Sequence, residues 1–143
     1  MKKILIVSAN YYLQIASQMY QETKDTLENS KTITGRKQNF KYRLVHVPGV
    51  FEIPVIISKN IKKYDGFIAL GCVIKGETPH FDFISKSSID AIMKLSIESK
   101  KPIGNGILTC LNKDQAIERA DKSNKNKGKE AANAAIELLI NDN

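Results

Sequence analysis

The chain has 143 residues, of which 42% are hydrophobic and 26% are charged, and its formal net charge is +7 at pH 7. This is the composition of an ordinary globular protein, and no apolar run approaches the ~20 residues that a membrane-spanning helix needs. The lysines and arginines are scattered along the chain and only 7% of residues are aromatic, which argues against nucleic acid as a partner.

Hydrophobic periodicity predicts strands and helices in alternation along the chain. The four predicted strands are short, almost wholly apolar runs at residues 4–9, 42–47, 66–72 and 103–109. Helical spacing predicts a first helix after residue 12, and further helices at residues 52–63, 83–100, 112–120 and 127–140. The polar stretches at residues 30–39 and 121–126 are predicted loops.

Each longer predicted helix has an apolar face that we expect to point inward. These faces are Ile15, Met19, Thr23 and Leu27; then Val55, Ile56 and Ile61; then Ile89, Ile92, Met93 and Ile97; and finally Ala131, Ala135, Leu138 and Leu139. Asn112, with Gln115 three residues later, resembles a capping box, and Asn126 is a second predicted helix cap.

The order βαβαβαβαα indicates a parallel sheet that is covered by helices on both faces. Right-handed crossovers then give an α/β, flavodoxin-like three-layer sandwich with a four-stranded parallel sheet. The length of the chain fits one domain over residues 1–143, and we see neither an internal repeat nor a linker.

Two cysteines, Cys72 and Cys110, lie within strand-like runs. No CxxC pair or Cys/His cluster accompanies them, so the sequence predicts no structural metal site. We expect both to be reduced, buried thiols of a cytoplasmic protein.

The turn after the third predicted strand carries the most chemical information. Thr78 is suited to cap a following helix and Pro79 suits its first position, which leaves His80 in the first helical turn. In open α/β sheets, ligands bind at this carboxyl edge, and free N–H groups at a helix start attract anions. His80 is therefore either a general base beside a phosphate site or a surface histidine at a helix start.

Four segments in this order resemble the lumazine synthase (6,7-dimethyl-8-ribityllumazine synthase) family. They are VPGVFEIP at residues 47–54, GCVIKGETPHFD at 71–82, QAIERA at 115–120 and NKGKEAA at 126–132. The resemblance covers essentially the whole chain. Any one segment alone would be a weak signal, and the four in register are specific.

The resemblance implies an enzyme of riboflavin biosynthesis that uses no cofactor. Members of the family condense 5-amino-6-(D-ribitylamino)uracil with 3,4-dihydroxy-2-butanone 4-phosphate and release phosphate and water. The implied fold agrees with the one that the residue pattern predicts. The implied partners are small-molecule substrates and further copies of the chain.

The resemblance also implies a role for each matched residue. His80 corresponds to the proton-transfer residue, and Tyr11 to the aromatic that stacks on the pyrimidine. The residues expected to bind the pyrimidine and its ribityl chain are Tyr11, Val50, Phe51, Glu52, Cys72, Val73, Ile74, Asn105 and Lys127. Those expected to bind phosphate are Glu77, Thr78 and Arg119, and Arg119 and Asn105 are expected to reach a neighbouring copy's site.

Some positions depart from the family pattern. Asn105, near the predicted end of the fourth strand, stands where phenylalanine is common, and His46 stands where tryptophan is frequent. We interpret His46 as structural. The chain starts almost directly at its first strand, which leads us to expect a homopentamer rather than a decamer or an icosahedral sixty-subunit shell.

Two other functions compete with the enzyme. A non-catalytic carrier of ribityllumazine or flavin would use the same scaffold, but it needs neither a base such as His80 nor a phosphate ligand such as Arg119. A signalling receiver would want a cluster of aspartates after the first strand, and residues 8–10 (SAN) offer none. Taken singly, the matched residues also have ordinary structural explanations, such as a surface ion pair for Arg119.

Overall fold

A computed structural model describes residues 1–32, 34–122 and 125–141. Its strands are β1 (Lys2–Ala9), β2 (Phe40–Val47), β3 (Gly66–Ile74) and β4 (Ile103–Cys110). Its α-helices are α1 (Leu13–Glu28), α2 (Ile53–Lys59), α3 (His80–Ser99), α4 (Lys113–Arg119) and α5 (Lys127–Ile140), and a 3-10 turn spans Val50–Glu52. Parts of both predicted loops, residue 33 and residues 123–124, lie outside the described ranges.

The four strands form one parallel sheet in the order β2-β1-β3-β4. The predicted flavodoxin-like α/β sandwich is therefore confirmed. Successive residues of a strand point to opposite faces, so the apolar side chains of each inner strand are divided between two cores, one on each side of the sheet. In β1, Ile4 and Ile6 join the core beneath α1, α4 and α5, whereas Leu5 and Val7 join the core beneath α2 and α3.

The N-caps of two helices, α4 and α5, agree with the sequence prediction. The Asn112 side chain accepts a hydrogen bond from the Gln115 N–H at 2.9 Å, and Gln115 Oε1 accepts from the Leu111 N–H at 2.8 Å. The Asn126 side chain accepts from the Lys129 N–H at 3.0 Å. These caps satisfy backbone donors that have no partner inside the helix.

Two helix boundaries differ from the prediction. The helix predicted at residues 52–63 is a 3-10 turn followed by α2, which ends at Lys59, because the Asn60 side chain bonds back to the Ile56 carbonyl at 2.8 Å. The helix predicted at 83–100 already starts at His80. Its N-cap position is Pro79 and not Thr78, so the predicted cap is wrong.

The predicted inward faces are correct for α1 and only partly correct elsewhere. Ile15, Met19, Thr23 and Leu27 are all buried. By contrast, four residues predicted to face the core are exposed: Val55, Met93, Ile97 and Leu138. Ile92, Ala131, Ala135 and Leu139 are buried as predicted. Both cysteines are buried and free, as predicted.

None of the helices in the described ranges has the length and apolarity that crossing a membrane requires. The described residues also hold no group of three or more histidine, cysteine or acidic side chains arranged to bind a metal ion.

Candidate functional site

A cavity of about 530 Å³ opens where β1 and β3 end and the 3-10 turn follows β2. We call it the site cavity. It is lined by Tyr11, Tyr12, Gly49, Val50, Phe51, Glu52, Cys72, Val73, Ile74, His80 and Ile84. Eight of the thirteen predicted site residues therefore meet at one place, at the carboxyl edge of the sheet where α/β folds bind ligands.

The 3-10 turn reaches the site cavity because β3 carries a glycine opposite it. A Cβ atom on Gly71 would lie 2.6 Å from Val50 Cγ2 and 3.5 Å from Ile53 Cδ1. With only a hydrogen at this position, buried Val50 packs directly on the strand. Phe51 and Glu52, which follow Val50, are thereby held at the rim, where Phe51 is exposed and Glu52 is half-buried.

The last residues of β3 present an open backbone edge to the cavity. The ladder between β1 and β3 ends at the Ser8–Leu70 pair, whereas the ladder between β3 and β4 continues to the Ile74–Cys110 pair. Within the described part of the chain, residues 72–74 therefore have no sheet partner on the side away from β4. Strand backbone without a partner can bind a planar ligand edge through its N–H and C=O groups.

Two adjacent tyrosines form the aromatic side of the cavity. Tyr11 is 74% exposed, and its ring meets that of Tyr12 edge-on, with centroids 4.9 Å apart and planes at 78°. Tyr12 is a lining residue that the sequence analysis missed, although it follows Tyr11 directly. Burial, and to a lesser extent the neighbouring Cys72 and Tyr11, raise the pKa of the Tyr12 phenol, so it stays protonated at neutral pH.

His80 is the first residue of α3 and is exposed at the mouth of the cavity. Its backbone N–H donates to Thr78 Oγ1 over a long 3.4 Å, so Thr78 still contacts the helix start although it is not the N-cap residue. The imidazole itself forms no hydrogen bond with any residue in the described ranges. Glu77 and Thr78 lie in the exposed turn before α3 and do not line the site cavity.

Arg119 and Lys127 lie elsewhere, in a smaller cavity of about 210 Å³ that we call the cation cavity. It lies between the end of β4, the end of α4 and the start of α5, and it is lined by Ile107, Leu108, Thr109, Arg119, Lys125, Lys127 and Glu130. Three cations thus face one carboxylate, and that carboxylate pairs with Lys127 at 3.4 Å. Lys125 is a further cation that the sequence analysis did not single out.

Asn105 lines neither of these cavities. The sequence analysis placed it near the end of the fourth strand, but β4 continues to Cys110 and Asn105 pairs with Ala69 in its first half. Its side chain accepts a hydrogen bond from the Ile107 N–H at 3.0 Å, and the residue is exposed. On a single copy of the chain, Asn105 is therefore separate from His80.

The other histidine, His46, lies outside the site cavity. It is exposed and its Nδ1 lies 3.0 Å from Asn10 Oδ1, a contact that joins the ends of β1 and β2.

A larger cavity of about 960 Å³ lies between α1 and α5 near the opposite edge of the sheet. It contains none of the predicted site residues, and the carboxyl-edge rule favours the smaller site cavity.

Comparison with known proteins gives the family. A family model described as 6,7-dimethyl-8-ribityllumazine synthase matches residues 1–141. The chain belongs to this family. Proteins named 6,7-dimethyl-8-ribityllumazine synthase from Bartonella tribocorum and Agrobacterium fabrum are each 40% identical to it, over 95% of this chain and 87% and 91% of their own lengths. The protein of that name from Bartonella henselae is 44% identical, over 95% of this chain and 85% of its own length.

The lumazine synthase family match covers both cavities. The segments that carry the resemblance supply the 3-10 turn, the end of β3, the start of α3, the end of α4 and the start of α5. The structure brings the first three together around the site cavity and the last two around the cation cavity. The individual residue roles stay predictions.

Proposed function

We propose that the protein is a 6,7-dimethyl-8-ribityllumazine synthase. It condenses 5-amino-6-(D-ribitylamino)uracil with 3,4-dihydroxy-2-butanone 4-phosphate and releases phosphate and water, as a step of riboflavin biosynthesis. The observation that carries the proposal is the site cavity, where an aromatic ring, a carboxylate, an open strand edge and an imidazole surround one space. Its volume of about 530 Å³ suits a small-molecule ligand.

The pyrimidine would bind between Tyr11 and the open edge of β3. An exposed phenol ring offers a stacking surface to a flat heteroaromatic, and the backbone of residues 72–74 can pair with the uracil edge. The ribityl chain needs acceptors for its hydroxyl groups, and half-buried Glu52 supplies a carboxylate beside the backbone of Val50 and Phe51. These four features together account for both parts of the first substrate.

His80 would transfer the protons that the condensation needs. Imine formation and ring closure require proton transfers near neutral pH, and histidine is the side chain best suited to them. Since the imidazole forms no hydrogen bond with a described residue, both ring nitrogens are open to a substrate or a water molecule. Holding both substrates together beside this group supplies the rest of the rate gain, up to ~7–11 kcal/mol in favourable cases.

The phosphate of the second substrate would bind to Arg119, in the cavity where Lys127, predicted to bind the first substrate, also lies. A guanidinium offers a forked donor set that matches phosphate, and it keeps its charge at every working pH. Arg119 forms no ion pair with a described residue, so within the described part of the chain its charge is available to a phosphate. The exposed turn with Glu77 and Thr78 would add backbone N–H donors at the start of α3.

The test of the activity is direct: the two substrates are mixed with the protein and the lumazine chromophore is followed. Chromophore formation in proportion to protein supports the enzyme, and tight ribityllumazine binding without turnover would support the carrier instead. Arg119→Ala is the informative variant. It should raise KM for the butanone phosphate far more than KM for the pyrimidine, and equal effects on both would contradict a phosphate-specific role.

We further propose that the active site forms between two copies of the chain. The site cavity is lined by no lysine or arginine of the described ranges, and the cations Arg119 and Lys127 line a separate cavity. A head-to-tail contact brings one copy's cation cavity to the next copy's site cavity, and such contacts close into rings. The family resemblance makes the homopentamer the ring that we propose, with a decamer and a sixty-subunit shell as the larger alternatives.

The surface around α2 and α3 supports such a contact. It exposes large apolar side chains, among them Phe51, Val55, Phe83, Met93 and Ile97, and exposed apolar patches of this kind mark protein interfaces. A groove of about 410 Å³ runs between α2 and α3 on this surface. Ser88, which lines it, is buried and its hydroxyl has no hydrogen-bond partner among the described residues.

Mixed oligomers test the shared site. Equal amounts of chains with His80→Ala and chains with Arg119→Ala are co-refolded and assayed at a butanone phosphate concentration far below the raised KM of Arg119→Ala, where each variant alone is expected to be nearly inactive. In a ring with shared sites, about a quarter of the sites combine an intact His80 with an intact Arg119, so activity should return to about a quarter of that of the unmodified chain. No recovery, or an active monomer by native mass spectrometry, would contradict the shared site.

The cellular location that we propose is the cytoplasm. The two free, buried thiols fit a reducing compartment.

A further inference from the structure

The thiol of Cys110 is the side-chain partner of Arg119. Cys110 is the last residue of β4 and is completely buried, and its Sγ accepts a hydrogen bond from Arg119 Nη1 at 3.9 Å. We propose that Cys110 is a positioning residue, which orients the Arg119 guanidinium toward the cation cavity for the phosphate of the second substrate. This inference rests on the proposed function, because it takes phosphate as the ligand of Arg119.

A thiol suits this task because it holds the guanidinium without neutralising it. Sulfur is a weak acceptor, so the cost of turning the guanidinium toward an incoming phosphate is small. A carboxylate in the same place would form a strong charge-assisted pair and compete with phosphate. The cation cavity contains an example of each kind of contact. The Glu130 carboxylate forms an ion pair with Lys127 at 3.4 Å, whereas Arg119 forms no ion pair with a described residue.

Cys110 is itself held in place from two directions. Its backbone pairs with Ile74 at the end of the β3–β4 ladder, and its side chain lies in the same buried cluster as Cys72. Burial, and to a lesser extent the neighbouring Cys110, raise the pKa of the Cys72 thiol to about 12, so Cys72 stays protonated and uncharged beside Cys110. Arg119 is exposed at the end of the short helix α4, and the weak contact with this fixed thiol favours one orientation of its guanidinium.

The contact also joins the two cavities of one chain. Cys72 lines the site cavity and Arg119 lines the cation cavity, and the Cys110 sulfur lies between them. In the proposed ring these cavities serve two neighbouring active sites. The positioning effect concerns the phosphate, because Arg119 acts through its side chain, whereas Cys72 contributes its backbone to the site cavity.

The test compares Cys110→Val, which removes the acceptor and keeps the bulk, with Cys110→Ser, which keeps an acceptor. Losing one weak hydrogen bond, at the low end of the usual net strength, predicts a ~3–5-fold rise in KM for the butanone phosphate and in the inhibition constant of inorganic phosphate for Cys110→Val. The turnover number and KM for the pyrimidine should stay within about twofold. Cys110→Ser should recover most of the loss.

A double-mutant cycle separates positioning from packing. In the Arg119→Ala background, Cys110→Val should cause no further change in phosphate affinity, because the group that it orients is gone. An equal effect in both backgrounds, a parallel rise for both substrates, or a Cys110→Val enzyme equal to the unmodified one would overturn the proposal. If Cys110→Val does not fold, Cys110→Ala replaces it in the same cycle.

Binding of inorganic phosphate, measured by calorimetry, keeps this inference distinct from the proposed function. If the unmodified chain forms no lumazine, the proposed function fails, and phosphate affinity still reports on the contact. Weaker phosphate binding by Cys110→Val, absent in the Arg119→Ala background, supports positioning. Unchanged binding in an active enzyme refutes the role of Cys110 and leaves the activity intact.

Discussion

Replacing Gly71 by alanine should damage the pyrimidine half of the site through packing alone. The new Cβ would lie 2.6 Å from Val50 Cγ2. Because carbon atoms pack at ~3.5–4.0 Å, Val50 has to retreat by about 1 Å. Val50 is buried and Ile53 lies behind the same glycine, so the 3-10 turn with Phe51 and Glu52 must move with it. Overpacking of this kind costs about 1–3 kcal/mol of stability.

The expected effect on catalysis is larger than the effect on phosphate binding. A misplacement of ~1 Å can cost on the order of 10²-fold in rate, so we expect kcat/KM for the pyrimidine to fall ~10–100-fold, with inhibition by inorganic phosphate unchanged. Urea unfolding measures the stability, and the chromophore assay measures the rate. Gly76→Ala is the matched control for stability, since no atom lies within 4 Å of its added Cβ.

The cause can be isolated with a second substitution. Adding Val50→Ala to Gly71→Ala removes the methyl group that the new Cβ meets. The double variant should therefore be more stable than the sum of the two single effects predicts, with a coupling energy of about 0.5–3 kcal/mol. A Gly71→Ala chain as stable and active as the unmodified protein would refute the packing argument. A double variant without coupling would refute the role of Val50 in it.

Three further outcomes are expected. His80→Ala should lower turnover ~10²–10⁴-fold with pyrimidine binding little changed, and undiminished turnover at saturating substrate would remove the residue from the proton transfers. Tyr11→Ala should weaken binding of a product analogue in calorimetry by about 0.5–1.5 kcal/mol beyond the lost contact area, whereas Tyr11→Trp should bind normally. The pKa of about 12 lowers the thiolate fraction of Cys72 at pH 8 to about a thousandth of that at its ordinary pKa of 9.0. Iodoacetamide at pH 8 should therefore label Cys72 in urea and hardly at all in the folded protein, and rapid labelling of the folded protein would contradict its burial.

The fold could be predicted because each layer repeats a simple pattern. Strands buried on both faces read as short apolar runs, and the α1 residues Ile15, Met19, Thr23 and Leu27 recur at helical spacing. The burial predictions are wrong for apolar residues that do not face the core of this chain. Val55, Met93 and Ile97 are exposed on α2 and α3, and periodicity cannot distinguish a face that packs on the sheet from a face available to a second copy.

The site could be predicted only in part. The motif after β3 indicated a ligand-binding edge, and the family resemblance supplied the other residues, but order along the chain does not reveal that they divide between two cavities. The Cys110–Arg119 contact has no sequence signature, because it depends on how α4 returns along β4. Tyr12 was not predicted for a similar reason. The path of the chain between β1 and α1 decides which residues there line a cavity, and it brings both Tyr11 and Tyr12 to the site cavity.

The division between the two cavities agrees with the different charges of the two substrates in the reaction that we propose. The pyrimidine carries no formal charge. The site cavity, which would bind it, is lined by the ring of Tyr11, the edge of β3 and the carboxylate of Glu52. The second substrate carries a phosphate, and the permanent cation Arg119 lies apart from His80. A cation close to an imidazole disfavours its protonation and would narrow its range as a proton donor. In the ring that we propose, one copy would supply the site cavity and the neighbouring copy would supply Arg119, so both substrates would meet only in the assembled protein.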